Sequence, residues 1–296
     1  MQGFLSCLLL LLTWVSPGRS IGLPFQIKFS PKTLVPGAIF QVRVYSQDSI
    51  SRVQGSLAER DILFYATSSR REWEGVAGID LETPPGLYSL TGTVWMTDGR
   101  SGAIRESLRI LPKKFPTQHI QVKQKYVTLG AQDSQRAARE ARQLEAIWQT
   151  VTSKKLWVKT FHRPLSSKLT SGFGRRRIVN GKLRSPHSGV DLKARFGTPI
   201  KAANSGKVVL AQDLFFAGKT IILDHGLGLY TLYAHCSKMW IKVGDLVGQG
   251  QVIGEVGATG RVTGPHLHWA CRVSSARVNP LNLTTLLMPT TSSFSQ

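Results

Sequence analysis

The chain has 296 residues, carries 38 Lys and Arg against 17 Asp and Glu for a formal charge of +21, and is 42% apolar. One core rarely exceeds roughly 100 to 200 residues, and this apolar content excludes a disordered polymer, so two packed domains are expected. The cationic balance predicts an anionic partner.

Residues 1–20 have the layout of a signal peptide. The apolar run over 4–15 is shorter than the roughly 20 residues a bilayer span needs. Ser16, Pro17, Gly18, Arg19 and Ser20 then supply small and turn-forming residues for cleavage, although no Lys or Arg precedes the run. No other segment has the composition of a span, so the mature chain is expected without a transmembrane span, exported to the periplasm or the cell-wall and extracellular space. There, wall polymers, lipopolysaccharide or anionic lipid head groups suit the charge; without an interleaved aromatic and basic motif, nucleic acid does not. Cys7 would leave with the signal, while Cys236 and Cys271 remain, able to pair in an oxidising compartment or to stay as buried thiols.

Within residues 21–112, apolar or alternating runs over 25–29, 40–45, 62–66 and 88–95 are divided by Pro36-Gly37, Pro84-Pro85-Gly86 and Asp98-Gly99. This pattern predicts an N-terminal immunoglobulin-like β-sandwich suited to spacing or docking. Residues 113–160 are expected to be a linker carrying one amphipathic connecting helix from about Asp133 to Thr150, capped by Asp133 or Ser134, with Ala137, Ala141, Leu144 and Trp148 on its packing face. Residues 161–284 return to Gly-rich, β-branched runs over 199–202, 207–211, 220–223, 229–233, 251–256 and 267–273, which predict a C-terminal antiparallel β-sheet domain. The fold class is therefore mainly β, with a Ser- and Thr-rich tail over 285–296 expected to fray.

Four of the seven histidines fall into three short motifs of the C-terminal domain. In Pro186-His187-Ser188-Gly189-Val190-Asp191, Pro and Gly disfavour a helix, so a turn into a strand brings imidazole and carboxylate together. In His266-Leu267-His268, residues two apart on a strand share a face. Two neutral imidazoles and one carboxylate make a catalytic zinc set, because three ligands leave a position for water and the metal lowers that water's pKa to roughly 7. No helical His-Glu-x-x-His motif supplies a glutamate base, so further histidines are expected to move the proton.

His187-x-x-x-Asp191, Leu232-Tyr233-Ala234-His235 and Gly264-Pro265-His266-Leu267-His268 resemble, in order, the three signatures of the LytM-like, lysostaphin-type peptidoglycan metallopeptidases. Flanking segments such as Ser171-Gly172-Phe173-Gly174-Arg175, Gly197-Thr198-Pro199-Ile200 and Val278-Asn279-Pro280 extend the resemblance over about residues 165–284. It implies one Zn2+ per chain held by His187, Asp191 and His268, with His235 and His266 as a non-ligating catalytic pair whose two roles stay undivided. The implied function is a zinc-dependent endopeptidase that hydrolyses peptide bonds in peptidoglycan stems or cross-bridges. A noncatalytic LytM-like regulator of another wall hydrolase is the alternative, and so is an enzyme kept latent by its N-terminal domain or linker. The chain departs from the pattern at Cys236, where leucine is usual, and at Trp269-Ala270, where Phe-Glu is common, without losing a ligand. Trp269 is expected in the core; Phe215, Phe216 and Tyr233 are expected in the core or on a groove wall. Arg175, Arg176, Arg177, Lys182 and Arg184 are expected to be solvated or to meet substrate carboxylates.

Overall fold

The computed structural model describes residues 25–285. The signal peptide expected over 1–20, with Cys7, and nearly all of the tail expected over 285–296 lie outside the described residues. The class is mainly β, and the structure opens with seven antiparallel strands: β1 (Phe25–Ser30), β2 (Ile39–Ser46), β3 (Ile50–Leu57), β4 (Arg60–Ala66), β5 (Glu72–Gly78), β6 (Gly86–Met96) and β7 (Ser101–Ile110). Alternating side chains such as Phe40, Val42 and Val44 on β2 and Leu90 and Val94 on β6 are fully buried, as the period-2 pleat requires. Two-layer packing is reached with one hydrogen-bonded order, β1-β2-β5-β4-β3-β6-β7. That sheet curls until β1 and β2 share a single apolar cluster with β6 and β7.

The segment expected only to link the domains does more. β8 (Thr117–Ile120) pairs in parallel with β10 (Arg176–Val179) and lies in a small sheet ordered β11-β10-β8, with β11 at Lys182–Arg184. β9 (Leu169–Ser171) precedes β10 in the chain. Helix α1 spans Ala131–Gln149, beginning two residues before the expected start; neither Asp133 nor Ser134 caps it. The N-cap is Gly130, whose carbonyl accepts from Ser134 N–H at 2.9 Å, leaving Asp133 in the first turn, where its charge suits the helix dipole. The predicted face packs at its C-terminal half, where Trp148 stacks edge-on against Tyr230 with centroids 5.5 Å apart and Leu144 joins the same cluster, while Ala141 is exposed.

The remaining strands are β12 (Gly189–Lys193), β13 (Pro199–Lys201), β14 (Gly206–Leu214), β15 (Gly218–Asp224), β16 (Leu229–Met239), β17 (Leu246–Val247), β18 (Val252–Val256), β19 (His266–Val273) and β20 (Ala276–Val278). They build a ten-stranded sheet whose spine is β17-β14-β15-β16-β19-β12-β9. Trp269 and Tyr233 are fully buried in its core, as expected for Trp269. Cys236 and Cys271 are free thiols in that core, bonded to the carbonyls of Tyr233 and Arg272 and not to each other; burial pushes the Cys236 thiol up to about 12. Ile39, Val76 and Leu81 of the N-terminal part enter the same core. Among the described residues no helix is long and apolar enough to cross a membrane.

Candidate active site

Strand register assembles the site. Asp191 on β12 lies opposite Ser171 of β9 on one side and His268 of β19 on the other, and His268 lies opposite Ala234 of β16. Residues roughly twenty to eighty positions apart thereby become neighbours in one row, as cross-strand pairs at about 4.5–5.5 Å must. His187 enters from the turn before β12; its N–H donates to Arg175 O at 2.9 Å and its carbonyl accepts from Gly174 N–H at 2.8 Å. Gly189 permits the closure, because a Cβ there would sit 2.5 Å from Trp269 O and 2.8 Å from His268 Cε1.

The three candidate ligand atoms converge. Asp191 Oδ1 lies 3.0 Å from His187 Nε2 and 2.9 Å from His268 Nδ1, and those two nitrogens are 3.0 Å apart. His187 Nδ1 lies 2.9 Å from Gly172 O and 3.2 Å from Ser171 Oγ. Donation to that carbonyl places the proton on Nδ1 and turns the Nε2 lone pair toward the cluster, the outer contact that orients a ligating imidazole. Ser171 in turn donates to Gln118 Oε1 at 2.9 Å, so a side chain of the linker strand supports the cluster. Two imidazole nitrogens and a carboxylate oxygen within 4.8 Å of one another fit a divalent transition metal such as zinc.

His235 and His266 stand beside this cluster, with ring centroids 4.9 Å apart and His235 6.0 Å from His268. His235 Nδ1 meets Thr259 O and His266 Nδ1 meets Gly264 O, each at 2.9 Å; donation there leaves both Nε2 atoms available to the groove, and His266 Nε2 is 3.8 Å from Asp191 Oδ1. His235 has φ +67°, left-handed for a residue with a Cβ, at an irregularity of β16 where pairing with β15 and β18 shifts register. Such a conformation is sparsely populated, and it is held by the bond from His235 N–H to Ala217 O at 3.0 Å. Burial foremost, with the neighbouring His268 and His266, holds His235 down at about 3, and burial lowers His187 to about 4. Burial acts to raise the Asp191 carboxyl, yet its close contacts with the His187 and His268 imidazoles outweigh burial and keep it well below the usual carboxylate range.

A cavity of about 310 Å³ opens over Asp191, His235 and His266, walled by Gln118, Ile120 and Val122 of the linker on one side and by residues 261–266 on the other. Phe215 and Tyr233 are buried away from it, and Phe216 is half-buried beneath the Arg261 guanidinium, 4.7 Å from its ring centre.

A crystal structure of a Pseudomonas aeruginosa protein assigned to peptidase M23 is 32% identical to this chain, with 84% of this chain and 94% of that one covered at a TM-score of 0.66. The chain belongs to peptidase family M23. The Peptidase family M23 model itself matches residues 185–280, which contain all five site residues. Curated relatives are similar to part of this M23 chain. Peptidoglycan DD-endopeptidase ShyA of Vibrio cholerae is 39% identical over 127 residues, covering 42% of this chain and 30% of the relative. The DD-carboxypeptidase/endopeptidase Mpg of Neisseria meningitidis is 37% identical over 117 residues, 40% of this chain and 27% of the relative. The match thus spans under a third of each curated relative's length. Arg177 of the M23 chain, expected to be either solvated or directed at substrate, instead donates from Nη2 to Asp191 Oδ2 at 3.1 Å. Sequence spacing carried no sign of that contact, nor of Gln118 behind Ser171.

Proposed function

We propose that the chain is an exported zinc-dependent endopeptidase that hydrolyses peptide bonds in bacterial peptidoglycan stems or cross-bridges, using one Zn2+ per chain. The observation that carries this reading is the convergence of His187 Nε2, His268 Nδ1 and Asp191 Oδ1, with His235 and His266 facing them across the groove. The names of the curated relatives, both peptidoglycan or D,D-peptide hydrolases, point to the same substrate, and a charge of +21 suits an anionic envelope polymer. Residues 161–284 act as the catalytic domain, 21–112 as a docking domain and 113–160 as the connector that also walls the groove.

In this reading His187, Asp191 and His268 hold the metal. Zinc bound there would polarise the scissile carbonyl and acidify a water. The chain's own groups do the proton work. His235, neutral near pH 7 because burial keeps its pKa at about 3, and His266 present Nε2 atoms to the groove, one to accept a proton and one to donate to the developing oxyanion and the leaving amine. Their Nδ1 contacts with Thr259 O and Gly264 O lock both ring orientations before substrate arrives.

The test separates metal from proton transfer. His268→Ala should lose both zinc and wall-degrading activity, whereas His235→Ala should keep zinc, by elemental analysis, and fall about 10²- to 10⁴-fold in rate. Full activity in either purified variant would sink the assignment. Mass spectrometry of digested peptidoglycan then identifies the bond cut from the new termini.

A further inference from the structure

The groove carries one carboxylate, Asp191, against two guanidinium groups, Arg177 and Arg261. Asp191 is committed to His187 and His268 through Oδ1. Of the donors on Arg177, only Nη2 has a partner among the described residues, Asp191 Oδ2 at 3.1 Å; its Nε is buried without a hydrogen bond. An arginine with its fork largely unused, desolvated in a groove, is built for a planar anion, since it can bind carboxylate through two parallel bonds. Of the basic stretch, Arg177 lines the cavity, whereas its neighbours Arg176 and Lys182 are exposed. Arg261, held over Phe216, lines the opposite wall.

We propose that Arg177 and Arg261 form a carboxylate subsite, which takes a peptide with a free carboxylate on the residue directly beyond the scissile amide. The position follows from reach. Arg177 touches Asp191, so an anion on its remaining donors lies about one residue step, ~3.8 Å between Cα atoms, from a carbonyl placed over the His187, Asp191 and His268 cluster. Ile120, Val122 and Val179 offer apolar surface for the short side chain of that residue. A neutral amide in the same place would forgo the charge-assisted bonds that a carboxylate makes to two guanidinium groups of which only Arg177 is paired with Asp191 at 3.1 Å in the groove. The selected substrates are therefore peptides that end, or branch with a free carboxylate, one residue past the cut. The subsite deepens the hydrolase reading and rests on it.

The experiment uses the zinc-loaded full chain and two matched probes: N-acetylated D-alanyl-D-alanine with a free C-terminal carboxylate, and its C-terminal carboxamide. Calorimetry should show the carboxylate probe binding at least tenfold more tightly. Arg177→Gln and Arg261→Gln should each shrink that ratio, Arg177→Gln to within about twofold, with zinc content and melting temperature checked. Arg177→Lys should keep part of the preference. Equal binding of the two probes to the unmodified chain, no measurable binding of either, or a preference that survives both glutamine variants would overturn the subsite. Cleavage is read separately by mass spectrometry. Arginine-dependent binding without cleavage of the probe or of purified peptidoglycan sinks the hydrolase reading while the anion site stands; cleavage of both probes at one rate sinks the subsite while the hydrolase stands.

Discussion

His225 shows how differently the same side chain can be used 10 positions from a catalytic candidate. It is fully buried, with Nδ1 2.7 Å from Ser205 O and Nε2 2.7 Å from Thr231 Oγ1, and Thr231 leads to Tyr233. Burial lowers its pKa from 6.5 to about 4. A histidine held neutral in the folded state is protonated more readily in the unfolded chain, so its effect is nil above pH 6.5 and destabilising as pH falls from there towards 4, reaching about 3 kcal/mol. Chemical denaturation at pH 7 and pH 4.5 should show that loss reduced in His225→Gln, which cannot titrate; an undiminished slope in the variant would count against this role. Among the histidines, motif order in the sequence separated His187, His235, His266 and His268 from His225, because metal and acid chemistry constrain residue type at fixed spacing. Neither the left-handed φ of His235 nor the Arg177–Asp191 contact was legible: the first depends on a local irregularity in strand pairing, the second on which of three consecutive arginines the pleat turns inward.

At the scale of elements, strand positions followed from alternation and turn chemistry, with most runs extended by one to several residues and β13 and β18 each one residue shorter; β16 was expected over 229–233 and runs through Leu229–Met239. The extension matters, since it carries Ala234, His235 and Cys236. The β-hairpins were legible because Gly and Pro punctuate them locally, whereas β8 was not, because its partner β10 lies more than fifty residues away and four residues of mixed polarity, TQHI, carry no strand signature. The same holds after α1. Residues 152–157 fall within the expected linker, yet Leu156 N–H donates to His225 O at 2.8 Å and Leu227 N–H to Thr152 O at 2.7 Å, which delivers Trp157 and Phe161 into the core. Gly226 makes that docking possible: its φ is +85°, and a Cβ would sit 1.8 Å from Lys154 O. Gly226→Ala should therefore cost about 2–4 kcal/mol, combining left-handed strain with displacement of the segment. Urea unfolding measures it; a loss below about 1 kcal/mol would mean the segment moves aside freely.

At the scale of the whole molecule, the N-terminal sheet is fastened to the catalytic sheet. Asp80 accepts from Arg277 N–H at 2.9 Å, Nε at 3.0 Å and Nη2 at 2.6 Å, and Glu82 accepts from Nη2 at 2.5 Å. Burial acts to raise the Asp80 carboxyl, but hydrogen bonds from Arg277 and from the Glu82 and Arg277 backbone prevail and hold it at about 2. Its contribution is present above pH 3.8 and fades as pH falls towards 2, which makes the joint insensitive to pH in any mild medium. Around it, Ile39, Val76 and Leu81 lie in the catalytic core, and a Cβ on Gly78 would reach 2.8 Å from Val278 Cγ1. An interface with shared apolar packing and a buried ion pair couples the two sheets, so calorimetry should show one cooperative unfolding transition. Arg277→Ala leaves Asp80 buried without its counter-charge and should cost about 3 kcal/mol, more than the double change with Asp80→Ala, where no orphaned charge remains. Two resolved transitions in the unmodified chain, or equal losses in the single and double variants, would show that the sheets are only tethered.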